Sequence, residues 1–133
     1  MSRVFVDTSA ILALFNPADR FHQKATAAFD GLRAEEAPLL TTSFVLVETH
    51  ALLGRRFGLD AVASFRDSFA PILEVAWVGR DLYEPGLDLL LERRQRRLSL
   101  VDAVSFVCMR RERTDHAFAF DRHFRDEGFH LVE

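Results

Sequence analysis

Four acidic residues in apolar company are the strongest candidates for chemistry in this 133-residue chain. Asp7 closes the apolar run Val4-Phe5-Val6, and Asp121 directly follows Ala117-Phe118-Ala119-Phe120. Glu48 shares a helical face with Phe44, Val45, Ala51 and Leu52, where a lone carboxylate is costly unless something neutralises it. Asp102 stands in the first turn of a segment that continues Ala103-Val104-Ser105-Phe106-Val107-Cys108-Met109. Each acid has a plain structural explanation. Asp102 completes a capping box with Ser99, Asp7 and Asp121 cap the helices after their strands, and Glu48 pairs with a buried arginine. Taken together they have a second explanation. Carboxylates gathered in one pocket repel and raise one another's pKa, and a hard divalent cation removes that cost. Oxygen-only ligands select Mg2+ or Mn2+ over zinc or copper.

The elements that must position these acids follow from periodicity and punctuation. Short runs of β-formers predict strands over 4–6, 39–41, 73–78, 117–120 and 129–132. Thr8 or Ser9 caps a brief helix over 10–15, which Asn16-Pro17 ends. Phe21, Ala25, Ala28, Phe29 and Leu32 mark an amphipathic helix over about 20–35. Further helices are expected over 43–56, 59–70, 80–97 and 99–113, the first capped by Thr42 or Ser43 and stopped before Gly58. Strands that are apolar on both faces and alternate with helices predict a parallel sheet covered on both sides. Such open sheets carry their chemistry at the carboxyl ends of the strands, where Asp7 and Asp121 fall.

Four ordered blocks carry a family resemblance: Val4-Phe5-Val6-Asp7-Thr8-Ser9-Ala10, Glu48 within a helix, Ser99-Leu100-Val101-Asp102-Ala103, and Phe120-Asp121-Arg122-His123-Phe124. Together they resemble a PIN domain, and more narrowly the VapC-type toxins of bacterial and archaeal toxin–antitoxin pairs. The opening Asp-Thr-Ser-Ala alone is a weak signal; the ordered set is a strong one. The resemblance implies a single PIN-like domain over residues 1–133, a three-layer α/β/α fold around a short, mostly parallel sheet of about five strands. It implies an endoribonuclease using Mg2+ or Mn2+, with Asp7, Glu48, Asp102 and Asp121 as the metal-holding and catalytic set. Glu48 is left as either ligand or general base, and the products as 5′-phosphate and 3′-hydroxyl. The hydroxyls of Thr8 and Ser99 are candidates for holding water beside the site, with helix capping as their alternative. Ala119 departs from the many members with a hydroxyl residue two before the last aspartate. The implied partners are an RNA substrate, a second copy in a homodimer, and a small antitoxin protein lying in an apolar groove near the site. The alternative function is a non-catalytic PIN-like module binding RNA or protein; such modules usually lose acids that this chain keeps.

Composition narrows the field. A net charge of −3 argues against a strongly basic nucleic-acid binder, yet setting the four acids aside on metal takes the remainder to +1. Sixteen of the seventeen cations are arginine, which suits bidentate phosphate contacts as well as a GC-rich coding bias. Arg93, Arg94, Arg96 and Arg97 sit just before Ser99, either against RNA or as a solvated helix end. One cysteine, Cys108, excludes an internal disulfide and a cysteine-based zinc site. No apolar run approaches a membrane span, and the N-terminal run is too short for a secretory signal, so a cytoplasmic location is expected. A receiver domain would need a lysine at a later strand end, and the single lysine, Lys24, falls in a helix. A dehalogenase-type phosphatase would need an aspartate where Ser9 stands. Among the histidines, His123 lies near enough to Asp121 to approach the site, whereas His50 should point away from Glu48. Of the thirteen phenylalanines, Phe57, Phe65 and Phe69, near Ile72 and Leu73, are each assigned singly to the core, but together they leave room for an apolar groove or self-association face.

Overall fold

The computed structural model describes residues 2–132. The chain runs β1 (Val4–Val6), α1 (Thr8–Phe15), α2 (His22–Ala34), β2 (Leu39–Thr42), α3 (Ser43–Phe57) and α4 (Leu59–Ser68). After a 3-10 turn at Ala70–Ile72 come β3 (Leu73–Ala76), α5 (Arg80–Arg93), α6 (Leu100–Arg111), β4 (His116–Phe118), α7 (His123–Asp126) and β5 (His130–Leu131). The sheet order is β3-β2-β1-β4-β5, and every pairing is parallel. The chain thus builds outward from β1 to β3, then returns to lay β4 on the other side of β1. The point where the order reverses lies between β1 and β4. Strands diverging there leave a crevice beyond their carboxyl ends.

Phenylalanines account for much of the packing on both sheet faces. The register sets Val6 beside Phe118 and Phe5 beside Ala117, so Phe5 and Phe118 project to opposite faces. On one face Phe5 meets Phe124 of α7, which meets Phe106 of α6 and through it Phe129. On the other, Phe118 stacks on Phe29 of α2, which joins Phe69, Phe65 and Phe15. Nine of the thirteen phenylalanines are used this way. Phe65, Phe69 and Leu73, each of which the sequence assigns singly to the core, are core residues. Phe57 and Ile72 of the same stretch are exposed, and the most exposed large apolar groups are Leu59 at 81%, Trp77 at 74% and Val47 at 67%.

Several boundaries differ from the sequence expectation, each for a local reason. Of the caps the sequence offers for the first helix, Asp7 is the one used and Thr8 and Ser9 are not, because the Asp7 carboxylate accepts from the Ser9 amide. β4 stops at Phe118, so Asp121 stands three residues beyond the strand instead of directly after it; the Phe120 amide leaves the ladder to donate to Ser9 Oγ at 2.9 Å. β3 stops at Ala76, and the Val78 amide donates to Ser43 Oγ at 2.8 Å. α5 ends at Arg93 and not at residue 97, since Arg94 turns left-handed at φ 53°. The four-residue α7 is too short to show a periodicity and was not anticipated.

Candidate active site

Asp7 stands where β1 meets β4. Its amide donates to the Phe118 carbonyl at 3.1 Å, which fixes the backbone. Its Oδ2 accepts from the Ser9 amide at 3.1 Å and from Ser9 Oγ at 2.6 Å. The residue is only 4% exposed. Burial pushes its carboxyl up to about 7; the charges of Asp102 and Asp121 add to the rise, and the Ser9 bonds oppose it.

Asp102 opens α6 through a reciprocal cap. Its amide donates to Ser99 Oγ at 3.1 Å, and its Oδ2 accepts from the Ser99 amide at 3.2 Å. Burial also raises this carboxyl; the Ser99 bonds work against the rise, while the charges of Asp121 and Glu48 reinforce it. Asp121 opens the turn into α7, its Oδ1 accepting from the His123 amide at 2.9 Å. Glu48 is half-buried, on α3, the helix that leaves the carboxyl end of β2.

The four acids, far apart in sequence, line one cleft of about 310 Å3 at the switch point of the sheet. Thr8, Ser9, Ser99 and Arg97 share its walls, with Leu12 and Leu52 as apolar flanks. Capping and clustering are thus not alternatives: Asp7, Asp102 and Asp121 each commit one oxygen to a local turn and present the residue to the cleft. The other oxygen of each, and both oxygens of Glu48, have no hydrogen-bond partner among the described residues. Among those residues, no three acidic, histidine or cysteine side chains already close on one point as an ion's shell would. Like charges held at separate turns have no reason to converge without a cation between them. The donors are all oxygen, anionic and partly desolvated, which suits a hard divalent ion.

The hydroxyl residues Thr8 and Ser99 both line the cleft, and each also makes a contact within the fold. Thr8 Oγ1 is buried against α3, 3.1 Å from Thr49 Oγ1, and Ser99 Oγ is the cap of α6. Ser9 was not anticipated in a site role. Its Oγ donates to Asp7 and accepts from Phe120, tying the first acid to the segment that carries the last. The Asp-x-Ser spacing at a strand-to-helix turn is the signal that could have found it. Ser9→Ala is expected to lower the melting temperature by an amount corresponding to ~1–3 kcal/mol, because the Phe120 amide loses its partner. It should also raise the apparent pKa of Asp7 above about 7, since the Ser9 hydroxyl bond that helps to hold it down is lost while the amide bond stays. A calorimetric scan and a pH titration of Asp7 check the two parts.

Of the four clustered arginines, Arg97 reaches the cleft wall. Arg93 instead makes a two-pronged bond to Glu127, at 2.8 and 3.2 Å, which Arg110 also contacts at 2.8 Å. His50 packs edge-on against Phe65.

A PIN-domain family model matches residues 4–129. The 23S rRNA-specific endonuclease VapC20 of Mycobacterium tuberculosis is 39% identical over 128 residues, covering 95% of each chain. The chain belongs to the VapC family of PIN-domain proteins. A second VapC protein of that organism, Ribonuclease VapC26, is 28% identical over 123 residues, 91% of this chain and 89% of its own. The crystal structure of M. tuberculosis VapC20, described as a sarcin-ricin loop cleaving toxin, superposes with a TM-score of 0.81 at 38% identity over 95% of each chain. The five-stranded parallel sheet is thus the VapC architecture, and the acid-lined cleft is described within it.

Proposed function

We propose that this VapC-family protein is an endoribonuclease that hydrolyses RNA phosphodiester bonds with Mg2+ or Mn2+ held by Asp7, Glu48, Asp102 and Asp121. The observation that carries this reading is the gathering of four carboxylates from β1, α3, α6 and the β4–α7 turn around one cleft. The names of its relatives, an endonuclease and a ribonuclease, point the same way. A bound divalent ion supplies charge neutralisation at the phosphate and a lowered pKa for water. The chain's own residues do the positioning. Asp7 and Asp102 offer the oxygens not used in their caps, and Asp121 offers the oxygen not bonded to His123. Glu48, the one acid of the four with neither oxygen hydrogen-bonded, is free to hold the ion or to take a proton from the attacking water. Ser9 holds Asp7 and the approach to Asp121 in register. Attack by water leaves a 5′-phosphate and a 3′-hydroxyl.

The toxin description of VapC20 supports a toxin role here, and with that role we propose a cytoplasmic location and a small antitoxin as inhibitor. No helix among the described residues is long and apolar enough to cross a membrane. The exposed Val47, Leu59 and Trp77 supply apolar surface for a second copy or the antitoxin. One experiment tests the reading. The purified protein, sized by light scattering as a dimer, should cut RNA with Mg2+ or Mn2+ and stop in EDTA. A monomer sinks the dimer, and cleavage undiminished by EDTA sinks the metal site.

A further inference from the structure

Behind the acid cleft lies a second pocket of opposite charge. It measures about 160 Å3 and is lined by Phe21, Lys24, Phe120, Arg122 and Arg125, together with Ala119 and Leu131. Three cationic side chains and no acid line it. Lys24 is the only lysine of the chain. Neither Lys24 nor Arg122 has a salt bridge to a described residue. Arg3, Arg66, Arg80, Arg93, Arg110 and Arg111 are paired with acids, while several arginines scattered over the rest of the surface are not, so it is the gathering of three cations around one pocket that sets this site apart. The pocket wall is firm: Phe21 and Phe120 stack at 4.8 Å with their planes 10° apart, and the Arg20 guanidinium sits 4.5 Å over the Phe21 ring.

The two sites share a wall. Ala119, Phe120 and Arg122 face the basic pocket, and Asp121 faces the acid cleft. The Phe120 amide is tied to Ser9 Oγ, which is tied to Asp7. A polyanion brought to four carboxylates needs cations beside them, and arginine and lysine grip phosphate oxygens well. We infer that the Lys24–Arg122–Arg125 pocket holds a backbone phosphate of the RNA strand next to the one being cut. This rests on the ribonuclease reading for the identity of the strand, and it adds a substrate-positioning site outside the acid cleft.

The test separates binding from cleavage. Asp7→Asn protein is titrated with a fluorescent single-stranded RNA oligonucleotide across a range of NaCl concentrations, in EDTA, with and without the added pair Lys24→Gln and Arg122→Gln. Each lost phosphate contact removes about 0.7 from the slope of log affinity against log salt for single strands, so the pair, which together releases the one phosphate of the pocket, should remove about 0.7. Affinity should fall for all RNA sequences alike. Arg33→Gln with Arg66→Gln, outside the pocket and with the same charge change, should leave the slope unchanged. An unchanged slope in the Lys24/Arg122 pair, or an equal fall in both pairs, overturns the inference. So does loss of heptaglutamate binding in that pair with RNA binding intact, which would make the pocket a protein-docking site. Cleavage by the otherwise unaltered protein is scored separately, so failure of the ribonuclease reading is visible apart from failure of the pocket.

Discussion

Asp7→Asn is expected to lower Mg2+-dependent RNA cleavage by at least about a hundredfold, on the order of 3 kcal/mol in the barrier. The substitution keeps size and cap: the amide oxygen of Asn can still accept from Ser9, as Asp7 Oδ2 does at 3.1 and 2.6 Å. What it removes is the negative charge at the deepest of the four cleft acids. Asp102→Asn should act alike, since its side chain is also split between a cap and the cleft. Asp126→Asn changes an exposed acid of α7 outside the cleft and should leave the rate within a factor of two or so of the unaltered protein. Initial rates on a labelled RNA with Mg2+, compared across these three variants, decide the matter. If Asp7→Asn cuts like the unaltered protein, the acids are structural caps and the site assignment fails.

The contrast between acid and hydroxyl shows how the site was legible. Asp7, Asp102 and Asp121 could be placed from sequence because each sits at the junction of an apolar run and a new element, and a junction fixes where a side chain goes. Glu48 was legible through helical spacing, although its face is shared between the core, where Val45 is buried, and the cleft wall, where Glu48 and Leu52 stand. Ser9 was not, because its two bonds depend on β4 ending early and sending the Phe120 amide back across 111 residues. Strand order and the crevice between β1 and β4 follow from parallel alternation, a rule of chain connection. The basic pocket does not: Lys24 and Arg122 meet only because α2 and α7 are brought to the same end of the sheet. The phenylalanine excess is ambiguous in the sequence for a similar reason. A count cannot tell one crowded face from two, and only the register of Phe5 and Phe118 divides the rings between the two sides.

In the absence of metal, the protein should become less stable as pH rises from about 4 to about 8, and Asp7→Asn should remove most of that loss. Asp7 has an ordinary value of 3.8 and is pushed up to about 7 in the fold, mainly by burial. Below 3.8 the carboxyl is protonated in both folded and unfolded chains and contributes no difference. Between 3.8 and about 7 the unfolded chain ionises and the folded one does not, so folding grows costlier with each step in pH. Above about 7 the folded chain carries the buried charge and the full cost is present. At 1.36 kcal/mol per unit this amounts to on the order of 4 kcal/mol. For a domain of this size that corresponds to a melting difference on the order of 10 °C between the two proteins. The raised Asp102 adds in the same direction and remains in the variant, so a residual slope is expected. Melting in EDTA at intervals from pH 4 to pH 8 checks the result. The two proteins should melt together at the acid end and diverge toward neutrality, with the variant the more stable. Added Mg2+ should return stability to the unaltered protein at pH 8 and do much less for Asp7→Asn, since the ion needs the charge that the fold alone finds costly. A constant gap between the two curves would mean that the Asp7 carboxylate is not strained by its burial, and with that the physical case for a cation in this cleft would be lost.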